Sequence, residues 1–444
     1  MRKMKMYMAI LYVVLITMGF SARAQEARAR YETMKMIRKE KLDLVLPGAM
    51  RDNKVDMWIH VMQDGHVDPL YLDLGVRMRL TVNDTTCFVI FTDRGKKGIE
   101  RAVLGGGRGD RALYTIWAPE NDLGAFVAER DPKVIAVNMS VGIPASNGMS
   151  YVGYQRLTER IGKKYTARLI SAEDLISDFR VRRVQSEVIA FAKVCEMQRQ
   201  LMEETYRRIV PGVTTYEELG WWVQDRVMEM GLGHGPVPSG PSAPRGRLSR
   251  NVYTRGDFLS WDWGLHYLNF GTDYKRYGYI LKEGETDIPK GIKHLWNTGL
   301  RAREIYRKTI KIGYSAGDMR DMMIKAMEAE GFVYTPSDDY SSSYRDQMNE
   351  MGDSDTPGFY FDCHAVGNTG NSEVAVGASI APFRDSRNKY IIQQNHLFAF
   401  EFMVHVWIPE TKSRRSLNLE DNAIVTEKGV EALYPRNDNI IIIH

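Results

Sequence analysis

The chain has 444 residues, which favours two domains, because a single hydrophobic core rarely grows beyond about 250–300 residues. Hydrophobic residues make up 44% and charged residues 26%, the proportions of an ordinary globular protein. The net charge of +4 comes from basic residues that are spread along the sequence. The composition therefore gives no indication of nucleic-acid binding, and we expect none.

The first 24 residues have the order of a secretory signal peptide. A basic start (residues 1–5) precedes an apolar run (residues 6–20), and Ala22-Arg23-Ala24 then forms a small-residue cleavage motif. The apolar run is shorter than the roughly 20 residues that a membrane-spanning helix needs, which favours cleavage before Gln25 over an uncleaved anchor. We predict export to the periplasm or the extracellular space, and a mature protein without stable membrane association.

Three cysteines, Cys87, Cys195 and Cys363, lie far apart in the sequence. Their odd number and wide spacing exclude a disulfide framework. Cys363 is adjacent to His364 and is either a soft metal ligand or a small buried residue. The usual burial of free cysteines favours the second interpretation.

Residues 25–183 alternate between helical and strand-like patterns, which is typical of a small α/β domain. Residues 31–41 have helical spacing, and the apolar run Leu42–Leu46 predicts a short buried strand. Alternation over residues 77–91 predicts a hairpin or meander, and residues 134–137 form another strand candidate.

Residues 184–444 begin with a long helical pattern over residues 186–210, followed by a second helix with a capped start at Thr214-Thr215. A further helix pair is predicted over residues 290–312 and 316–331. Residues 335–358 are rich in Ser, Asp, Tyr and Gly and predict a surface loop.

Three strongly apolar strand candidates in this second half each contain an acidic residue. They are residues 257–263 with Asp262, residues 396–409 with Glu401, and residues 416–426 with Glu420. A carboxylate inside a buried strand is costly unless it is paired or binds a cation. The pattern therefore indicates a cation site.

Two further residues complete the candidate metal set. Asp273 follows Asp262 by 11 residues, enough for a hairpin to return it, and the turn after His364 can bring that ring inward. Carboxylates with one imidazole suit Mn²⁺, Zn²⁺, Fe²⁺ or Co²⁺. Four carboxylates would repel one another strongly, so we predict two ions rather than one.

In this order the motifs resemble those of the pita-bread metallopeptidases, in particular the Xaa-Pro aminopeptidase and prolidase branch with its creatinase-like N-terminal domain. The resemblance covers nearly the whole mature chain. Its elements are Gly256-Asp257, Asp262 to Gly264, residues 272–276 (TDYKR), His364 to Gly367, residues 399–401 (AFE), residues 419–421 (LED) and residues 425–429 (VTEKG). Each element is weak alone, but five ligands in the family's order are specific.

After the signal peptide (residues 1–24), the resemblance implies an α/β (α+β) fold with two domains: a creatinase-like N-terminal domain (25–183) and a pita-bread catalytic domain (184–444). It also implies the ligand roles. Asp262 would bind one ion, Asp273 and Glu420 would bridge both, and His364 and Glu401 would complete the second. A metal-bridged water would be the nucleophile, with Glu401 shuttling its proton.

The sequence departs from the family at two positions that normally carry histidines. Asn371 stands where one is expected, and residues 244–248 (PRGRL) contain no histidine where the other is expected. Asn371 could donate a hydrogen bond, and Arg247 or Arg245 could supply positive charge, although both arginines also fit an exposed surface. His405 is a further replacement candidate, but a structural role is favoured. Trp261 and Trp263 are expected to point into the core, opposite Asp262.

Two functions remain open. The first is an exported, dinuclear, metal-dependent hydrolase of peptide or small amide bonds, similar to Xaa-Pro aminopeptidases, with Mn²⁺ preferred and Zn²⁺, Co²⁺ or Fe²⁺ as alternatives. The second is a non-catalytic member of the family that binds a partner and keeps its metal site. Analogy with the family also implies a homodimer.

Overall fold

The computed structural model describes residues 25–78, 85–233, 238–242, 252–336, 342–368 and 376–444. The predicted signal peptide, Asn371 and Arg245 and Arg247 lie outside these ranges. Among the helices in the described ranges, none has the length and apolar character needed to cross a membrane.

The first part of the chain forms a mixed six-stranded sheet. A helical segment, α1 (residues 25–52), precedes it. The strands are β1 (Met57–Gln63), β2 (Thr86–Asp93), β3 (Ile99–Gly105), β4 (Ile116–Ala118), β5 (Ile135–Val137) and β6 (Leu169–Ser171). Their order across the sheet is β4-β3-β2-β1-β5-β6. The helices α2 (Leu123–Arg130), α3 (Tyr151–Thr166) and α4 (Glu173–Val181) accompany it.

The prediction of a strand over Leu42–Leu46 is wrong, since these residues continue α1 through a π-helical turn at Lys41–Val45. Leu42 and Leu46 are both fully buried, whereas Leu44 is 71% exposed. Residues four apart share one face of a helix, and this burial follows that spacing rather than strand alternation. A short apolar run fits either structure, and here the burial of Leu42 and Leu46 accompanies the helical one.

Apart from a two-stranded hairpin (His266–Tyr267 with Phe270–Gly271), the described residues of the second part form two sheets that meet side by side. The smaller sheet has the order β15-β8-β7, and the larger has β9-β10-β12-β13-β14 with β11 paired to β12. Their strands are β7 (Phe258–Trp263), β8 (Tyr274–Ile280), β9 (Val333–Tyr334), β10 (Gly358–Phe361), β11 (His364–Ala365), β12 (Leu397–Ile408), β13 (Ser413–Thr426), β14 (Gly429–Ala432) and β15 (Ile441–Ile443). Tyr277 of β8 donates its hydroxyl to the Asn418 carbonyl of β13 at 2.6 Å, which joins the two sheets.

Two helix pairs cover one face of these sheets. The pairs are α5 (Gln185–Arg207) with α6 (Tyr216–Glu229), and α7 (Lys290–Thr309) with α8 (Ala316–Ala329). Thr215 and Glu218 form the capping box of α6, as the sequence predicts. A further helix, α9 (Ser342–Glu350), lies in the stretch that was predicted to be a loop, so that prediction is wrong in part.

Each helix pair packs on its own hydrophobic cluster. Phe191 and Tyr206 of α5 pack with Trp261 and Trp263 of β7, whereas Tyr306 of α7 packs with the phenylalanines of β10 and β12. Because side chains alternate across a strand, the helices bury one set of side chains and leave the other set on the opposite face. That opposite face carries the predicted metal ligands.

Gly358 tests how tightly this framework is packed, because a Cβ there would lie 1.9 Å from His405 Nε2. The His405 ring is held by Thr335 Oγ1 at 3.2 Å and Arg414 Nη1 at 3.0 Å. We expect Gly358→Ala to lower the free energy of unfolding by about 1–3 kcal/mol through overpacking. Gly142→Ala, where the new Cβ meets nothing within 4 Å, is the control and should stay within about 0.5 kcal/mol of wild type by chemical denaturation.

Candidate metal centre

The strand register brings the acidic residues together. Glu401 of β12 is directly opposite Glu420 of β13, and Asp262 of β7 is directly opposite Lys275 of β8. Both glutamates are buried. Like charges directly opposite each other destabilise a sheet, so the facing glutamates require a nearby cation.

Lys275 provides one such cation. Its ammonium donates to Glu401 Oε1 at 2.8 Å and to Glu420 Oε2 at 2.6 Å, and it lies 3.2 Å from Asp262 Oδ2. The Lys275 side chain is only 10% exposed, so solvent screens these contacts weakly. One ammonium thus joins carboxylates from three strands.

The protonation equilibria reflect the crowding of negative charge. Burial raises the pKa of Asp273 to about 6; His364 opposes this shift and the Asp262 carboxylate adds to it. Burial also raises the pKa of Glu420 well above its usual value, and repulsion from Asp273 adds to it. Burial alone would lower the pKa of Lys275, but Glu420, Glu401 and Asp262 raise it well above its usual value. The ammonium is therefore charged, and Asp273 and Glu420 lie where positive charge is still in deficit.

His364 faces the other side of the carboxylate group. Its Nδ1 lies 3.0 Å from the Ala365 carbonyl oxygen, which suits a donated N–H and leaves Nε2 with a lone pair. Nε2 lies 3.8 Å from Asp273 Oδ2, 3.7 Å from Glu401 Oε2 and 3.9 Å from Glu420 Oε1. These separations are too long for hydrogen bonds.

These residues fit a divalent ion at the His364 side of the site. Ligand atoms of Asp273, His364 and Glu420 all lie within 4.8 Å of one another. Ligands about 2.1 Å from a tetrahedral Zn²⁺ stand about 3.4 Å apart, slightly closer than the atoms here. Glu420 Oε1 is buried, and no described residue donates a hydrogen bond to it. A buried carboxylate oxygen in this situation is costly unless a cation satisfies it.

Two asparagines on β13 support the acidic residues. Asn418 Nδ2 donates to Glu401 Oε1 at 2.7 Å, and the Asn422 side-chain oxygen accepts the Asp273 backbone N–H at 3.0 Å. Both asparagines lie two residues from Glu420 and so share its face of the strand. They orient the carboxylates without adding charge.

Cys363 is not a ligand in this arrangement. Its Sγ donates to the Glu401 carbonyl oxygen at 3.3 Å, and burial raises the pKa of the thiol well above its usual value. The interpretation as a small buried residue is therefore the better one. All three cysteines are free and buried.

The structure brings all five predicted ligands together, and their role in metal binding remains a prediction. Trp261 and Trp263 lie in the core opposite Asp262, and His405 has the structural role favoured above. Of the predicted catalytic residues, Glu401 lies in the site, whereas Asn371 and Arg247 fall outside the described residues.

Sequence reasoning missed Lys275 and Asn418 as parts of the site. Lys275 lies two residues after Asp273, and Asn418 lies two residues before Glu420. Strand alternation places each on the same face as its acidic neighbour. That periodicity was the available signal.

A cavity of about 1120 Å³ adjoins the site on the same face of the sheets. Ser260, Tyr277, Met403 and Asn418 line it, each two residues from Asp262, Lys275, Glu401 and Glu420 respectively. Tyr360 adds a further aromatic ring. The volume is that of a small-molecule or short-peptide site.

Comparison with known proteins agrees with this geometry. The sequence pattern of metallopeptidase family M24 matches residues 190–427. The X-Pro aminopeptidase of Thermotoga maritima superposes with a TM-score of 0.60 at 16% identity, over 89% of this chain and 100% of that one. The Xaa-Pro dipeptidase of Bacillus anthracis gives a TM-score of 0.58 at 16% identity, over 91% and 100%. The sequence comparison with curated proteins gives no match.

These observations define a two-part α/β protein with a pita-bread second half, and the predicted fold class is confirmed. The family pattern covers more than half of the chain. The chain belongs to metallopeptidase family M24, and the prediction of a metallopeptidase is confirmed at this level. The boundaries at residues 24 and 183 remain predictions.

His364 provides a direct test of the metal site. At a free concentration 100 times the dissociation constant, an ion bound only by the folded state adds about 2.7 kcal/mol of stability. We expect Mn²⁺, Co²⁺ or Zn²⁺ to raise the melting temperature of wild type, and His364→Ala to remove most of the rise. The exposed His294 gives the matched control, His294→Ala, which should respond like wild type. An unchanged rise in His364→Ala would contradict the assignment.

Proposed function

We propose that the protein is a metal-dependent hydrolase of peptide bonds that resembles Xaa-Pro aminopeptidases. The observation that carries the proposal is the convergence of four carboxylates and His364 at the edge of a cavity of about 1120 Å³. The membership in family M24 makes peptides the substrate class.

The residues at the His364 side would hold the ion. They are His364, Asp273, Glu401 and Glu420, all close enough to supply ligand atoms. A divalent ion at this place supplies Lewis acidity, which polarises a carbonyl and lowers the pKa of a bound water.

Glu401 is positioned to move the proton. Its Oε1 accepts from Lys275 at 2.8 Å and from Asn418 at 2.7 Å, which fixes the carboxylate plane. Its Oε2 lies 3.7 Å from His364 Nε2, on the side where the ion would bind. A carboxylate fixed in this way can accept a proton from water and return it to the leaving amine.

The cavity supplies the substrate side of the proposal. Tyr277 and Tyr360 contribute aromatic surface, and the Phe258 ring stacks on Tyr277 with a centroid separation of 5.5 Å. A flat aromatic surface suits an apolar ring such as that of proline. The fold shared with an X-Pro aminopeptidase and an Xaa-Pro dipeptidase supports this preference.

Glu401→Gln is the decisive variant for activity, because it keeps the size of the side chain and removes its basicity. We expect kcat to fall by about 10²–10⁴-fold on a peptide library in the presence of Mn²⁺, Co²⁺ or Zn²⁺. Glu427→Gln, an exposed change in the turn between β13 and β14, is the control and should keep wild-type rates. If wild type cleaves neither Xaa-Pro nor other peptides with any of these ions, the peptidase proposal fails.

A second function is favoured by one specific contact. Because Lys275 already satisfies part of the buried carboxylate charge, the fold could keep this site for binding without catalysis. The absence of the two family histidines from the sequence points the same way. Binding of a peptide to the cavity without turnover, at saturating metal, would identify this function, and turnover that depends on Glu401 would exclude it.

Export also belongs to the proposal, on the basis of residues 1–24. We expect the full-length chain, expressed in a bacterium, to appear in the periplasm or medium with Gln25 as its first residue. Fractionation followed by N-terminal mass spectrometry measures this. Replacing Ala22 and Ala24 by bulky residues should block processing, because the peptidase that removes signal peptides requires small side chains there. A chain that keeps Met1 and stays in the cytosol would contradict export.

The homodimer and the preference for Mn²⁺ complete the proposal. Both come from the resemblance alone. Light scattering after size-exclusion chromatography tests the dimer, and competition between metals at equal free concentration tests the preference.

A further inference from the structure

Lys275 is a buried lysine whose ammonium contacts several carboxylates. Its single ammonium reaches carboxylate oxygens of Asp262, Glu401 and Glu420 at 3.2, 2.8 and 2.6 Å. The side chain is almost completely buried and extends from β8 directly opposite Asp262. This is the coordination of a cation by several carboxylates.

The two glutamates each face two ways. Glu401 directs Oε1 to Lys275, and its Oε2 lies 3.7 Å from His364 Nε2. Glu420 directs Oε2 to Lys275, and its Oε1 lies 3.9 Å from the same nitrogen. Carboxylates in this orientation bridge two positive centres. One of the two centres is the Lys275 ammonium.

We propose that the Lys275 ammonium takes the place of one of the two divalent ions that the five-ligand set would otherwise hold, so that this chain binds a single ion at the His364 side. The inference concerns the metal content of the proposed site, and it rests on the metal-dependent part of the proposed function rather than on the substrate. It revises the prediction of a dinuclear centre.

Space and charge both exclude an ion beside Lys275. With the ligand roles that the resemblance implies, an ion beside Asp262 would need the Asp262 and Glu420 oxygens that the ammonium contacts. Oxygen ligands lie about 2.0–2.2 Å from such an ion, so the ion and the ammonium would compete for one position. Repulsion between the two cations at this range would be strong in a buried site.

The His364 side still requires a cation. Four carboxylates face one ammonium, and Glu420 Oε1 receives no hydrogen bond from any described residue. Asp362 is a competing ligand, because ligand atoms of Asp362, His364 and Glu401 also lie within 4.8 Å of one another. Arg384 balances part of the Asp362 charge, since its Nη2 donates to Oδ2 at 2.6 Å. A divalent ion among Asp273, His364, Glu401 and Glu420 supplies the missing charge without disturbing Lys275.

Metal stoichiometry tests the proposal without any use of activity. The purified mature protein, beginning at Gln25, is loaded with Mn²⁺, desalted and analysed by elemental mass spectrometry. We expect about one equivalent in wild type and about two in Lys275→Ala, because removal of the ammonium frees the second position. Electron paramagnetic resonance should show an isolated Mn²⁺ in wild type and a spin-coupled pair in the variant.

Three further variants sharpen the test. Lys275→Met keeps most of the side-chain volume without charge and should also take two ions. The test therefore holds even if Lys275→Ala fails to fold. Lys282→Ala removes an exposed lysine just beyond the same strand and should stay at one. His364→Ala should lose the single ion, which identifies where that ion binds.

The outcomes separate cleanly. Two equivalents in wild type, or none, overturn the proposal, and so does an unchanged stoichiometry in both Lys275→Ala and Lys275→Met. One equivalent in wild type that rises to two in either variant supports it. A protein that binds one ion yet cleaves no peptide would keep this inference and reject the proposed peptidase function.

Discussion

The facing pair Glu401 and Glu420 is the constraint on which the rest of the site depends. The two carboxylates lie directly opposite each other on β12 and β13, and both are buried. Two such charges destabilise a sheet unless cations stand between or beside them. Lys275 supplies positive charge on one side of the pair, and Asn418 donates a neutral hydrogen bond. His364 and Asp273 lie on the other side.

The pair stays in place because the register of β12 and β13 is strongly specified. The two strands pair from Leu397 to Ile408, and their other faces bury Phe402, Leu417 and Leu419 under α7 and α8. A slip by one residue would exchange the two faces, moving the glutamates into the apolar core. The hydrophobic packing of the helices therefore holds the carboxylates in a position that electrostatics alone would oppose.

The sequence predicted these strands and their acids because both obey local rules: strongly apolar runs, and a carboxylate inside each run where burial is costly. The helices of the second half were also predicted from local rules, namely the helical spacing of apolar residues and the capped start at Thr215. Prediction from sequence failed at Leu42–Leu46, because a five-residue apolar run is compatible with a helix or a strand and only tertiary packing decides between them. It also failed at Lys275: strand alternation from Asp273 was an available signal, but the contact with Asp262 depends on the pairing of β7 with β8.

The position of Lys275 among Asp262, Glu401 and Glu420 affects the stage of folding at which these carboxylates can come together. In the unfolded chain the acids are far apart in sequence and cost nothing, whereas in the folded chain they need positive charge at once. A metal ion must be captured from solution, but the ammonium arrives with β8 itself, since Lys275 faces Asp262 as soon as these two strands pair. The proposed substitution of one ion by Lys275 thus reduces the dependence of folding on metal supply. What remains for the divalent ion is the His364 side, where Glu401 Oε2 lies 3.7 Å from His364 Nε2.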